Sequence, residues 1–222
     1  PHFPDIAGHL IAQSVMSAPA ALVCAKVAMP ELGTPKTLGH VKMTREKLDA
    51  NLIDAAARGA SEGLTLAFNV AAMLLAFIAL IAMVNAGIKL GGGWLGFPGA
   101  SLEKLLALAG WPIAFLMGGP VQDCWTVGQL IGVKTVVNEF VAYLQLAELL
   151  KTGQPLTHRS VVIASYALSG FANFSSIAIQ IGGISGIAPG RRHDLAKLGL
   201  KAMFVGAIAT FMTANVAGIL VP

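Results

Sequence analysis

"SYALSGFANFSSIAIQIGGISG", residues 165–186, lies inside a stretch, 160–188, that is otherwise apolar enough to cross a lipid bilayer. Its middle nevertheless reads Ser169-Gly170-Phe171-Ala172-Asn173-Phe174-Ser175-Ser176, with a glycine, an amide and three hydroxyls where hydrocarbon would sit. Irregular backbone at that depth is tolerated only where protein or a wet cavity covers it. Gly170 and Asn173 both favour a break in the helix, and a broken helix exposes unpaired N–H and C=O groups at its two inner ends. An interrupted helix is expected here, and such helices form the solute and ion sites of many secondary transporters. Packing between helices in lipid explains Ser169, Gly170 and Gly182-Gly183 equally well. It explains Asn173 and Ser176 poorly, because residues three apart share one helical face. That pair is read as a binding face.

The rest of the chain agrees with a bilayer setting. Of its 222 residues 55% are hydrophobic and only 12% charged, with a mean hydropathy of +0.72. Soluble domains carry about 25% charged residues. The net charge of +4 is spread thinly, which suits the flanks of membrane spans and not the clustered basic face that nucleic acid needs. Cys24 and Cys124 lie far apart among apolar residues, so neither a disulfide framework nor a metal site is indicated. His9, His158 and His193 are dispersed near span ends, and no metal is expected at them.

The expected fold is an all-α polytopic membrane protein of about four transmembrane helices. One re-entrant helical hairpin, one interfacial amphipathic helix and one interrupted helix complete it. Residues 1–30 hold a first span, and 31–63 a cytoplasmic linker in which Leu48, Leu52, Ile53 and Ala56 fall at helical spacing, the pattern of an interfacial helix. Residues 64–120 hold a scaffold helix (64–88, uncharged), a glycine-rich loop at 91–98 and an outer-side helix at 101–117. A span of that length crosses about 30 Å of hydrocarbon.

Residues 121–157 read as the re-entrant hairpin, because their two apolar arms are each about half the ~20 residues of a crossing. Residues 158–188 are the interrupted helix, and 189–222 a basic cytoplasmic turn followed by the last span. Six Lys/Arg in 26–62 and four in 189–201, against Lys89, Lys104, Lys151 and Arg159 on the other side, place the C-terminus outside by the positive-inside rule. Further sequence is expected upstream of Pro1.

Glu139 is the strongest single signal for chemistry. A carboxylate in an apolar hairpin costs at least ~2.5–3.5 kcal/mol if it faces lipid, so such groups usually line a cavity and act there. The alternative is that Glu139 pairs with Lys134 at a solvated tip. Apart from Lys134 no second titratable partner lies near it, so an intramembrane enzyme is not expected. Asn69, Gln180 and Asn215 are read as hydrogen bonds between helices.

Four long stretches, in order, carry a resemblance: "SAPAALVCAKVAMPE" (17–31), "NLIDAAARGASEGLTLAFNVAAMLLAFIALIA" (51–82), "GVKTVVNEFVAYLQL" (132–146) and "ALSGFANFSSIAIQIGGI" (167–184). They resemble the concentrative nucleoside transporter family from about residue 10 to residue 218. The resemblance implies an ion-coupled importer of nucleosides in the cell membrane, usually a homotrimer, with two hairpins and two partly unwound helices related by an inverted repeat. This chain resembles the later half. Glu139, Asn173 and Ser176 would then hydrogen-bond ribose hydroxyls, with Phe171 packed near the nucleoside. The family's first hairpin, with its Gly-Gln-(Ser/Thr)-Glu-Ala-Pro signature and most base contacts, has no counterpart in these residues, nor has the usual sodium site. No cofactor is implied; the coupling ion, sodium or a proton, is expected to bind upstream. A membrane gate or assembly protein with a similar hairpin and no nucleoside transport is the second reading.

Overall fold

A computed structural model describes residues 6–34, 39, 49–97, 99–153 and 156–221. Among these residues the fold is entirely helical. In chain order the helices are α1 (Ile6–Ala28), α2 (Leu52–Trp94), α3 (Leu102–Leu116), α4 (Val121–Val136), α5 (Glu139–Lys151), α6 (His158–Leu168), α7 (Phe174–Ile187) and α8 (Arg192–Leu220), with a 3₁₀ turn at Pro189–Arg191 before the last.

The centre of the fold is α6, in which every residue from Ser160 to Leu168 is buried. Val127, Leu130 and Ile131 of α4, Ala142 and Leu146 of α5, and Ala214 and Ala217 of α8 close around it. The outer helices have the opposite character. Val15, Leu22, Leu75, Phe204 and Ile219 are exposed, and apolar faces of that extent would be an aggregation hazard in water but are at home in lipid. Among the described residues, two segments are long and apolar enough to cross a membrane, Ile6–Ala28 and Pro189–Leu220. Neither half of the broken helix, with 11 residues in α6 and 14 in α7, spans by itself.

Two expectations are corrected in α2. The interfacial helix is not a separate element: from Leu52 onward it forms the first turns of a 43-residue helix, about 65 Å long at 1.5 Å per residue. Residues 40–48 of the expected amphipathic stretch lie outside the described residues. The helix starts at the Asn51 cap, whose side chain accepts from the Asp54 N–H at 2.9 Å, and alanines carry it on. Arg58 pairs with Asp49 and Glu62 on its exposed side. The hydrogen bonds from Arg58 hold the Asp49 carboxyl below its ordinary range.

The glycine run at 91–93 is likewise helical instead of a loop. A Cβ on Gly92 would stand 2.6 Å from the Phe97 carbonyl oxygen, so glycine serves close approach of the returning chain. The chain reverses just beyond it, where the Phe97 N–H reaches the Gly92 carbonyl.

Helix α3 lies antiparallel along α4 through facing glycines. A Cβ on Gly110 would come within 2.5 Å of the Gly128 carbonyl oxygen, and one on Gly132 within 2.5 Å of that of Glu103. Small residues let helix backbones approach this closely. Asn85 ties α3 to α2, accepting from the Leu102 N–H at 2.7 Å and donating to Glu103 at 2.9 Å.

Candidate solute site at a helix break

The hairpin arms α4 and α5 are joined by only Val137 and Asn138. Asn138 caps α5, its side chain accepting from the Val141 N–H at 2.9 Å, which sets Glu139 at the first helical position. Opposite this tip, α6 stops at Leu168 and α7 begins at Phe174. The five residues between leave the C-terminal carbonyls of one helix and the N-terminal amides of the next without helical partners.

The hairpin supplies partners to both ends. On the α6 side, Lys134 Nζ donates to the Ala167 carbonyl at 2.8 Å and the Tyr143 hydroxyl donates to that of Ser165 at 2.5 Å. A cation at a helix C-terminus also opposes the negative end of its dipole. On the α7 side, the Ser175 hydroxyl donates to the Val137 carbonyl at 3.2 Å. Asn173 Nδ2 donates to Glu139 Oε2 at 2.9 Å.

The far end of α6 is held in the same way. Asp123, at the start of α4, accepts from the Thr157 N–H, the Thr157 hydroxyl and the Ser160 hydroxyl at 3.0, 2.8 and 2.6 Å. Asp123 and Lys134 thus bracket α6, an acid at its positive end and a base at its negative end, and α4 and α6 run parallel. Arg159 adds a tie outside this pair, donating to the Gly118 carbonyl at 2.8 Å and to that of Val221 at 3.1 Å.

Glu139 and Asn173, which the family resemblance implies share one ribose, are in direct contact. The pairing of Glu139 with Lys134 is not found: Lys134 is 1% exposed, bonded to the broken helix and 5.6 Å from the centre of the Phe211 ring. The reason is that the carbonyl left open by the break is the nearer acceptor. Ser176 does not stand free beside Asn173. It completes a capping box, its hydroxyl accepting from the Asn173 N–H at 3.1 Å and donating to the Asn173 carbonyl at 2.6 Å, while Asn173 Oδ1 accepts from the Ser176 N–H at 2.7 Å. Its part is to hold Asn173. Phe171 is half exposed at the break.

The sequence pattern marks Lys134 only as a partner for Glu139 and does not mark Asp123 or Tyr143. Tyr143 lies four residues after Glu139, on the same helical face, and that spacing was the available signal.

What remains unused defines the chemistry. Glu139 is half-buried and, among the described residues, has no cationic partner within ion-pair distance. One carboxylate oxygen and one N–H of Asn173 are left to meet a ligand. An ionised acceptor beside an amide donor is suited to neighbouring hydroxyls. A larger hollow of about 720 Å³, lined by Ile88, Gly92, Phe97 and Leu105, shares no residue with this pair and is almost wholly apolar.

Comparison with known proteins bears on this arrangement. Residues 9–218 match the family model described as the C-terminus of Na+ dependent nucleoside transporters. The chain belongs to this family. It is 48% identical over 214 residues to the "Uncharacterized transporter YutK" of Bacillus subtilis (strain 168), covering 96% of this chain and 52% of that protein. It is 44% identical to solute carrier family 28 member 3 of Mus musculus, covering 96% of this chain and 32% of that one. A variant of CNTnw solved in an outward-facing state superposes with a TM-score of 0.82 at 42% identity, over 95% of this chain and 50% of that one. The chain therefore spans about half the length of the Bacillus relative and a third of the mouse one. As a member of this transporter family it is an integral membrane protein and not an enzyme.

Proposed function

We propose that this chain carries the ribose-recognising part of an ion-coupled nucleoside importer. The single observation behind the reading is the 2.9 Å hydrogen bond between Asn173 and Glu139 across the helix break. It presents a carboxylate and an amide side by side, each with hydrogen-bonding capacity to spare. Ribose offers vicinal hydroxyls that donate to the one and accept from the other. Phe171 would pack against the nucleoside, and Ser176 would act through Asn173 by fixing its orientation.

Selectivity follows from the same physics. Buried polar groups tuned to a hydroxyl are left unpaired by an analogue that lacks it, and such sites reject the analogue by up to ~10⁴–10⁵. Transport would proceed by alternating access, driven by sodium or protons. The hairpin would be re-entrant, the C-terminus would face outward, and the assembled protein would be a homotrimer, as the family likeness suggests. Most of the base-reading residues and the coupling-ion site would belong to sequence upstream.

The test is uptake of labelled uridine and adenosine into liposomes holding the protein expressed from its complete gene. Active wild type, with uptake lowered about 10–100-fold in Glu139→Gln and in Asn173→Ala, is the expected result, the loss of a hydrogen bond to a charged group being worth ~1.5–3 kcal/mol. Wild-type uptake in both variants refutes the assignment of the site.

A further inference from the structure

Between α1, α8 and the break lies a cavity of about 410 Å³, lined by Gln13, Ser14, Ser17, Ser169, Phe171 and Thr210 among others. That volume falls within the ~300–1,000 Å³ of small-molecule sites. Gln13 is only 6% exposed, yet its amide has no hydrogen-bond partner among the described residues. The amide is not sealed among protein atoms but opens onto this cavity, where it lacks partners. Its neighbours cannot supply them through their protons. Ser14 donates to the Leu10 carbonyl, Ser17 to that of Ser14, Ser169 to that of Tyr166 and Thr210 to that of Gly206.

The four hydroxyls therefore turn only acceptor lone pairs toward the cavity, while Gln13 brings two donors and one acceptor. No charged side chain lines the space. An uncharged ligand that is rich in N–H or O–H donors and carries at least one acceptor matches this wall. A phosphate or carboxylate does not, because the hydroxyls would face it with lone pairs.

The cavity is also tied to the proposed solute site. Ser169, Gly170 and Phe171 line it and lead directly into Asn173. The break is pressed against α8 at this point, since a Cβ on Gly170 would lie 1.9 Å from Thr210 Oγ1.

We infer that this cavity is a second polar subsite for the same solute, in which Gln13 hydrogen-bonds a group beyond those met by Glu139 and Asn173 and so sets selectivity among nucleosides. The inference rests on the nucleoside reading above.

The test is the ratio of Vmax/KM among uridine, cytidine, adenosine and guanosine in liposomes holding the protein expressed from its complete gene. Wild type is compared with Gln13→Leu, which keeps the bulk and removes the amide. Expected is a change of about tenfold in the ratio of the best to the worst nucleoside, carried by KM with Vmax nearly constant, as one hydrogen bond of ~1.4 kcal/mol would produce. Gln13→Asn should recover part of it. If the leucine variant does not fold, Gln13→Ala, which truncates the side chain at Cβ, is read by the same ratio. Ratios unchanged within about twofold, or a uniform fall in Vmax with the ratios intact, assign Gln13 to protein packing and overturn the inference while the nucleoside reading stands. A wild type that takes up no nucleoside overturns both.

Discussion

Two stretches of this molecule have a similar composition and opposite fates. Helix α2 runs unbroken through Gly59, Gly63, Asn69, Asn85, Gly87 and the glycines at 91–93. Residues 158–187 break at Gly170 and Asn173. The difference lies in what faces them. The amide of Asn85 is bonded to the start of α3, and among the described residues no side chain of another helix donates to an α2 carbonyl. At the break, Lys134, Tyr143, Glu139 and the Val137 carbonyl stand ready to satisfy what the missing turn leaves open. Glycine and asparagine permit a helix to break; partners from another element make the break affordable.

If the hairpin holds the two half-helices, removing its contacts should cost more than equivalent changes in α2. The largest loss is expected for Asp123→Ala, which strands the Thr157 N–H and two hydroxyls at the start of α6. A buried hydrogen bond to a charged group is worth ~1.5–3 kcal/mol, so thermal melting of the purified protein should fall clearly. A melting temperature equal to wild type would show that α6 does not need the hairpin. Gly170→Ala should cost ~1–3 kcal/mol through overpacking against Thr210, partly recovered in the double variant with Thr210→Ala. No recovery would mean that the glycine acts through backbone conformation instead.

Tyr143→Phe, read in the same melt, removes one donor from the Ser165 carbonyl and should cost about 1 kcal/mol. A Cβ on Gly59, by contrast, meets nothing within 4 Å. Gly59→Ala in α2 should therefore be neutral or stabilising by up to about 1 kcal/mol. Destabilisation there would contradict the reading of α2 as a helix sustained by its own propensity.

The comparison also marks what could be read before any coordinates. The hairpin tip near 134–139 and the break near 169–176 were legible because each places polar groups where lipid or a packed helix would reject them, and that conflict is local. Their contact followed from the family resemblance. The continuity of α2 was not legible: a change from polar to apolar composition near residue 63 looks like a boundary, yet helix propensity carries across it. Nor was the bond that Lys134 makes. Whether a buried lysine meets a carboxylate or a helix end depends on acceptors brought from distant parts of the chain.

The central claim is that Glu139 and Asn173 together form one wall of a pocket for sugar hydroxyls. The most direct measurement is the ratio of uridine to 3′-deoxyuridine uptake in wild type and in Glu139→Ala. The account predicts that wild type favours uridine by at least about tenfold, one charge-assisted hydrogen bond, and that the variant, though slower, no longer distinguishes the two. A variant that loses activity toward both nucleosides equally and keeps the wild-type ratio would contradict it.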